Sequence, residues 1–232
     1  MNTTIPALHI RLFGDFYLLS DDSPVTVNVP RLQSLLAYLL LHRSIPQGRS
    51  HLAFLLWPDS SEGQAHSNLR KLLHQLRQTL PYADSFLYTD RHNLQWQPDP
   101  DVSWSFDVLE FELALARAEA AHKKQDTTTV RQAYEQAISL YRGDLLPSCY
   151  DEWILPERDR LRHLFLQAAE CLIVLLEQER DYEPAIKVAQ HLLRQDPLHE
   201  ATTRHLMRLH ALHGDRASAL RVYHSCSSVL ER

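Results

Sequence analysis

Polar and apolar positions along this chain follow two different periods. Over the first thirty residues the pattern is that of strands. LHIRLFGDFYLL is rich in β-forming side chains and is interrupted by Gly14, a candidate bulge or turn. SDDSP supplies turn chemistry. VTVNV then alternates, with Val25, Val27 and Val29 on one face and Thr26 and Asn28 on the other. At Pro30 the period changes from two to nearly four, and Leu32, Leu35, Leu36, Leu39 and Leu40 predict a first helix ending near His42. A turn at SIPQG leads to a short second helix over residues 50–56, with Ser50 as its N-cap and Trp57-Pro58 as its stop. Asp59, Ser60 and Ser61 offer caps for a third helix through QAHSNLRKLLHQLRQTL, residues 64–80. In FLYTDRHNLQW, β-forming stretches at 86–89 and 94–96 flank polar residues, the arrangement a hairpin needs.

Strands, three helices and a closing hairpin are the order of a winged helix-turn-helix, and the leading sheet narrows it to the OmpR-like kind. QPDPDVSW marks a boundary near residue 100. Beyond it the pattern is helical throughout, with helices expected near 106–122, 128–142, 156–179, 182–195, 199–213 and 216–230. Gly143, Pro147, Asp181, Pro197 and Gly214 punctuate them. A 34-residue shift lays Leu172, Leu175, Asp181, Ala185, Ile186 and Val188 on Leu206, Leu209, Asp215, Ala219, Leu220 and Val222, which is the tetratricopeptide period. The expected fold is therefore α+β, an OmpR-like winged helix over residues 1–100, followed by an all-α tetratricopeptide-like domain over residues 101–232.

Composition removes several function classes. With 5 Gly in 232 residues and no GxGxxG or GxxxxGK[ST], no phosphate loop is expected. No apolar run is long enough to span a bilayer, and the N-terminus lacks the features of a signal peptide, so a cytoplasmic protein is expected. Cys149, Cys171 and Cys226 show no CxxC pairing and read as reduced thiols packed in helices. The 14 His include His205, His210 and His213, whose spacing does not put all three on one helix face, and there is no HExxH. Neither a metal, a cofactor nor a catalytic constellation is expected; Asp151, Glu152 and Glu157 read as residues that start or cap helices.

Charge sharpens the picture. The net charge is -5, yet the first 100 residues hold 8 Lys+Arg and 8 Asp+Glu, so the whole acidic excess lies in the second half. Between Gly63 and Ala83 there are basic residues and no acid. At 100° per residue, Ala65, Leu69, Leu72, Leu73, Leu76 and Leu80 form one apolar stripe. The opposite face carries Ser67, Arg70, Lys71, His74 and Gln78, with Gln64 and Arg77 at its margins. Alone, that face is an ordinary solvated one. As the third helix of this order, it is in the position that enters a DNA major groove, where Arg and Lys can meet guanine O6 and N7. The hairpin tip adds Arg91 and His92, and Arg49 at the start of the second helix is a phosphate candidate.

These residues resemble the SARP/AfsR-type transcriptional activators, in which an OmpR-like winged helix precedes a bacterial transcriptional activator domain. The resemblance is carried by LHIRLFGDF, LAFLLWPD and NLRKLLHQLRQTL in the first half. WSFDVLEFE, YRGDLLPSCYDEWILPERDRLR and DPLHEATTRHLMRLHALHGDRASALRVY carry it in the second. It implies an activator that binds direct repeats in promoter DNA, recruits RNA polymerase and assembles as a homo-oligomer on double-stranded DNA. By position, Asn68, Arg70 and Arg77 fall on the family's recognition-helix motif. Two departures stand out: the near-neutral first half, and a helical domain that stops at CSSVLER where the family continues. The second leaves open a trimmed domain or the front of a longer regulator. The competing reading is a tetratricopeptide scaffold that binds proteins, with the winged helix as a protein-contact module.

Overall fold

The computed structural model describes residues 7–21 and 23–230, with side chains as far as His224. Part of the SDDSP turn, at Asp22, and the Cys226 side chain therefore lie outside the described residues. The chain divides into two compact units. One contains residues up to Leu109 together with Leu145–Glu157; the other contains Glu110–Asp144 and the chain from Arg158 onward.

The first unit opens with β1 (Leu8–Arg11), β2 (Tyr17–Ser20) and a two-residue β3 (Ser23–Pro24). Gly14, at φ +82°, lies in the turn between β1 and β2, which pair antiparallel with Leu8 opposite Ser20. The alternation buries Leu8 and Ile10. VTVNV keeps its two faces, with Val27 buried and Thr26 and Asn28 exposed, but residues 25–29 form no strand. After Val25 donates to the Leu18 carbonyl, the Gln33 side chain takes the Val27 carbonyl, and the Val29 carbonyl accepts from Leu32 and Gln33. Those bonds start a helix instead of extending a ladder.

That helix is α1 (Pro30–Leu41), with Pro at its first position; all five predicted leucines are buried. It is followed by β4 (Gln47–Gly48), α2 (Arg49–Leu56) and α3 (Glu62–Thr79). Helix α2 begins one residue earlier than expected. Ser50 does not cap it; Gly48 holds that position without a side-chain bond. Helix α3 begins with Glu62, so its first turn carries an acid that the stretch from residue 64 lacks. The hairpin forms from β5 (Leu87–Thr89) and β6 (Asn93–Trp96), and β6 also pairs with β4, giving the sheet order β4-β6-β5. The unit is a winged helix with a leading sheet.

That leading sheet reaches past residue 100, because β7 (Trp104–Phe106) adds to it in parallel with β1, with Leu8 opposite Trp104. Immediately after it, the buried Asp107 carboxylate accepts the backbone N–H groups of Leu12 (2.9 Å to Oδ2) and Phe13 (2.9 Å). The LLPSCYDEW segment belongs to this unit. Leu146 donates to the Leu12 carbonyl at 3.0 Å, and Leu145 and Leu146 are buried. Asp151 does not cap a helix through its side chain. It accepts from Arg31 (2.6 Å) and from the buried Ser34 hydroxyl (2.5 Å) on α1, while Trp153 packs edge-on against Tyr38 at 5.1 Å. Cys149 lies outside any helix, and Cys171 is exposed on one, so neither is a buried helical thiol.

The remaining helices are α4 (Asp107–Lys123), α5 (Thr127–Leu140), α6 (Ile154–Gln178), α7 (Tyr182–Gln195), α8 (Glu200–Leu212) and α9 (Arg216–Leu230). The second unit has an aromatic centre, Tyr141 stacked on Phe165 with ring centroids 4.1 Å apart. Burial and a hydrogen bond to Asp144 both push the Tyr141 hydroxyl pKa up. Buried alanines let helices approach closely, among them Ala133, Ala137, Ala169, Ala185 and Ala189. The 34-residue shift is visible in the backbone. Arg180 (φ +60°) and Gly214 (φ +89°) both end helices in the left-handed region. The following Asp181 and Asp215 each donate to a carbonyl five residues back, on Leu176 and His210.

Candidate nucleic-acid interface

Local chemistry shapes α3 before anything else does. Leu69, Leu72, Leu73 and Leu76 are buried, as the 3.6-residue period requires, and the helix packs on α2 and α1. Its other side leaves Gln64, Arg70, Lys71, His74, Arg77 and Gln78 exposed, with Ser67 and Asn68 partly covered. Two amide contacts organise this face: Gln64 donates to Asn68 (2.8 Å), and Gln78 meets the His74 ring at 3.1 Å. Arg77 is held by Asp84 at 2.9 Å, apart from the other cations.

The hairpin brings a second group of cations to α3. At its tip the Asp90 carboxylate accepts the N–H groups of His92 and Asn93, both at 2.6 Å. Those bonds, His92 first and Asn93 next, hold the Asp90 pKa below the ordinary aspartate value. The His92 carbonyl then accepts from the N–H of Arg49 at 2.8 Å, continuing the pairing of Gln47 and Gly48 with β6. The N-terminus of α2 is thus tied to the wing.

The result is a cleft of about 340 Å³ lined by Arg49, Ser50, His66, Arg70, Arg91 and His92, with Leu69 beside them. Three arginines and two histidines line it and none of the lining residues is a carboxylate, although the Glu62 carboxylate stands 4.0 Å from the His66 ring. Ser50 and His66 stand 3.4 Å apart, and the Arg49 Nε is buried without a partner among the described residues. Such a site favours an anion with several oxygen acceptors. Four of the residues singled out from sequence meet in it: Arg49, Arg70, Arg91 and His92. The others lie elsewhere on α3. Two lining residues were not singled out. His66 is one helical turn before Arg70, which could have marked it, whereas Ser50 read as a cap.

Among the described residues no cluster of three or more His, Cys, Asp or Glu could hold a metal ion, and no helix is long and apolar enough to cross a membrane.

A winged helix carrying a cationic cleft, joined in one chain to an all-helical unit with a 34-residue repeat, defines the architecture. Residues 106–232 match the model of the bacterial transcriptional activator domain, more than half of the chain. The chain belongs to that family of bacterial transcriptional activators, and the SARP/AfsR-type resemblance is borne out. Among solved structures it is similar to Mycobacterium tuberculosis EmbR in complex with a low-affinity phosphopeptide. The TM-score is 0.74 over 96% of this chain, at 19% identity. The chain spans 59% of that structure's length, and the likeness at this identity is one of fold. Comparison with curated proteins gives no match.

Proposed function

We propose that the first unit is a sequence-specific DNA-binding domain and the second an activator domain, acting together in the cytoplasm at promoter direct repeats. The observation that carries this reading is the cleft between α3 and the wing, with three arginines and no carboxylate in its lining. In this arrangement α3 enters the major groove. Arg70 and Lys71 approach base edges and phosphates, and Gln64, Ser67, Asn68 and His74 supply adaptable contacts. Arg49, Arg91 and His92 grip the sugar–phosphate backbone beside the groove. Because the first half of the chain is near neutral, a single copy binds modestly. A homo-oligomer on adjacent repeats raises the affinity and presents the helical units to RNA polymerase.

Selection of bound duplexes from a random pool, followed by gel-shift titration, tests the proposal. A recovered direct repeat, with an Arg70→Ala/Lys71→Ala variant that loses affinity and lowers the salt slope by about 1 per lost phosphate contact, supports it. An unchanged affinity and slope in that variant overturns the assignment of α3.

A further inference from the structure

The second unit carries an open groove along α6 that no part of the DNA-binding proposal uses. Two cavities, of about 420 and 410 Å³, share Tyr134, Glu170 and Cys171 and lie end to end along α6, with Tyr134 bonded to Cys171 where they meet. The groove's long wall is α6. Leu164, Ala168, Cys171, Leu175 and Gln178 line it at steps of four, three, four and three residues. That spacing is the seam by which one helix receives another, and from Leu164 to Gln178 it runs about 21 Å, or four turns. Leu115 of α4 and Val130 of α5 add further apolar surface.

Occupant chemistry follows from this lining. An extended peptide would bring unpaired backbone N–H and C=O groups onto a surface that is mainly apolar, whereas a helix satisfies its own. Val174 stands on the rim, 45% exposed, where an apolar side chain gains by being covered. Carboxylates are the only formally charged side chains in the groove's lining, which also holds His122. Its lining residues include two carboxylates, Glu119 and Glu170, and no Lys or Arg. Glu170 is 46% exposed, with the His199 ring 3.4 Å away. Glu119 is bonded to Lys123 on the same helix at 2.7 Å, a solvent-exposed pair that a stronger partner can replace.

We propose that this groove docks an amphipathic helix of a partner protein, with its apolar stripe on the α6 seam and Lys or Arg residues along its edge opposite Glu170 and Glu119. The site is separate from the cleft and does not depend on DNA binding.

Cys171, exposed in the middle of the seam, provides a local reporter. The probe is a synthetic four-turn helix with leucines on one stripe and lysines beside it. A version with glutamates in place of the lysines, and a scrambled version, serve for comparison. Alkylation of Cys171 in the full chain by a small maleimide is followed by mass-spectrometric peptide mapping. At about nine times its Kd, the lysine probe is expected to slow Cys171 alkylation about tenfold, and the other two are expected to leave it unchanged. Glu170→Lys should transfer the protection to the glutamate probe, and Val174→Asp should abolish it. Both sites are exposed, so the helical circular-dichroism signal and melting temperature should stay close to those of the parent chain, and gel-shift affinity should not move. Protection by none of the probes, equal protection by the lysine and glutamate versions, or no transfer in Glu170→Lys would overturn the proposal. So would sedimentation showing that the seam joins two copies of the chain and that Val174→Asp separates them.

Discussion

Arg131 on α5 holds Asp181, the residue that opens α7, with Nη2 2.7 Å from Oδ2. The same guanidinium reaches Glu135 and Glu179 at 2.9 and 2.7 Å, and the three carboxylates, Glu135 foremost, raise its pKa further. At the comparable turns before α5 and α9, Asp126 and Asp215 use their side chains as caps, accepting from the N–H groups of Thr129 and Ser218. Asp181 makes no such cap and is bonded to the arginine instead. A turn repeated within the chain thus serves two purposes: local capping at two helices and a link between helices at the third.

This difference separates two kinds of stability loss. Arg131→Met should cost about 1 kcal/mol, since the partners are partly exposed and solvent screens them, and the loss should shrink at high salt. Asp126→Ala should lower stability with little salt dependence, because a cap is a short-range bond. Thermal melts at low and high salt check both.

Asp107 gives a larger effect. Its buried carboxylate satisfies the N–H groups of Leu12, Phe13 and Val108, so the end of β1 and the start of α4 share one acceptor. Asp107→Ala leaves buried donors unpaired and is expected to cost about 3 kcal/mol. Asp107→Asn retains one acceptor oxygen and should recover part of that. Urea titration, read as a shift in midpoint, measures the difference.

Periodicity made the helices legible because it reports burial, and burial is what α1 and α3 were built on. Leu35, Leu39, Leu69 and Leu76 all lie in the core. Features that depend on a distant partner were not legible. The alternation of VTVNV reports its two faces correctly, but a strand also needs a neighbour, and the Gln33 side chain removes one of its acceptors. Asp151 looks locally like a cap, yet its partners Arg31 and Ser34 are more than a hundred residues away in sequence. The cleft follows the same rule. Arg70 was visible on the helix wheel, but its meeting with Arg49 and Arg91 depends on the pairing of β4 with β6.

Position relative to the cleft separates two arginines that look equivalent in sequence. Arg77 is engaged by Asp84, whereas Arg49 lines the cleft with a buried Nε that lacks a partner among the described residues. Under the DNA-binding proposal, Arg49→Ala should weaken operator binding about tenfold, a loss of about 1.4 kcal/mol. Arg77→Ala should leave it within about twofold, since that side chain already has a carboxylate partner. Gel-shift titrations of both variants on one selected duplex decide the matter, and equal losses would mean that Arg77 leaves Asp84 when DNA arrives.

The wing tip should respond to acid. Asp90 has a lowered pKa because its charged form accepts the N–H groups of His92 and then Asn93, and Tyr88, whose hydroxyl donates to it, is raised in turn. A carboxylate whose folded pKa is depressed contributes order that is fully present above its unfolded pKa. That order is lost as pH falls through the folded value, below the ordinary aspartate range. The tip should therefore stay ordered through neutral and mildly acidic pH and loosen only in strong acid. Asp90→Ala should be loose already at neutral pH. Amide chemical shifts and exchange rates of His92 and Asn93 report this directly. Since the His92 carbonyl also holds the first N–H of α2, the Arg49 amide should shift with the same midpoint in the parent chain. An Arg49 amide that does not follow this transition would show that the wing and α2 are not coupled through that bond.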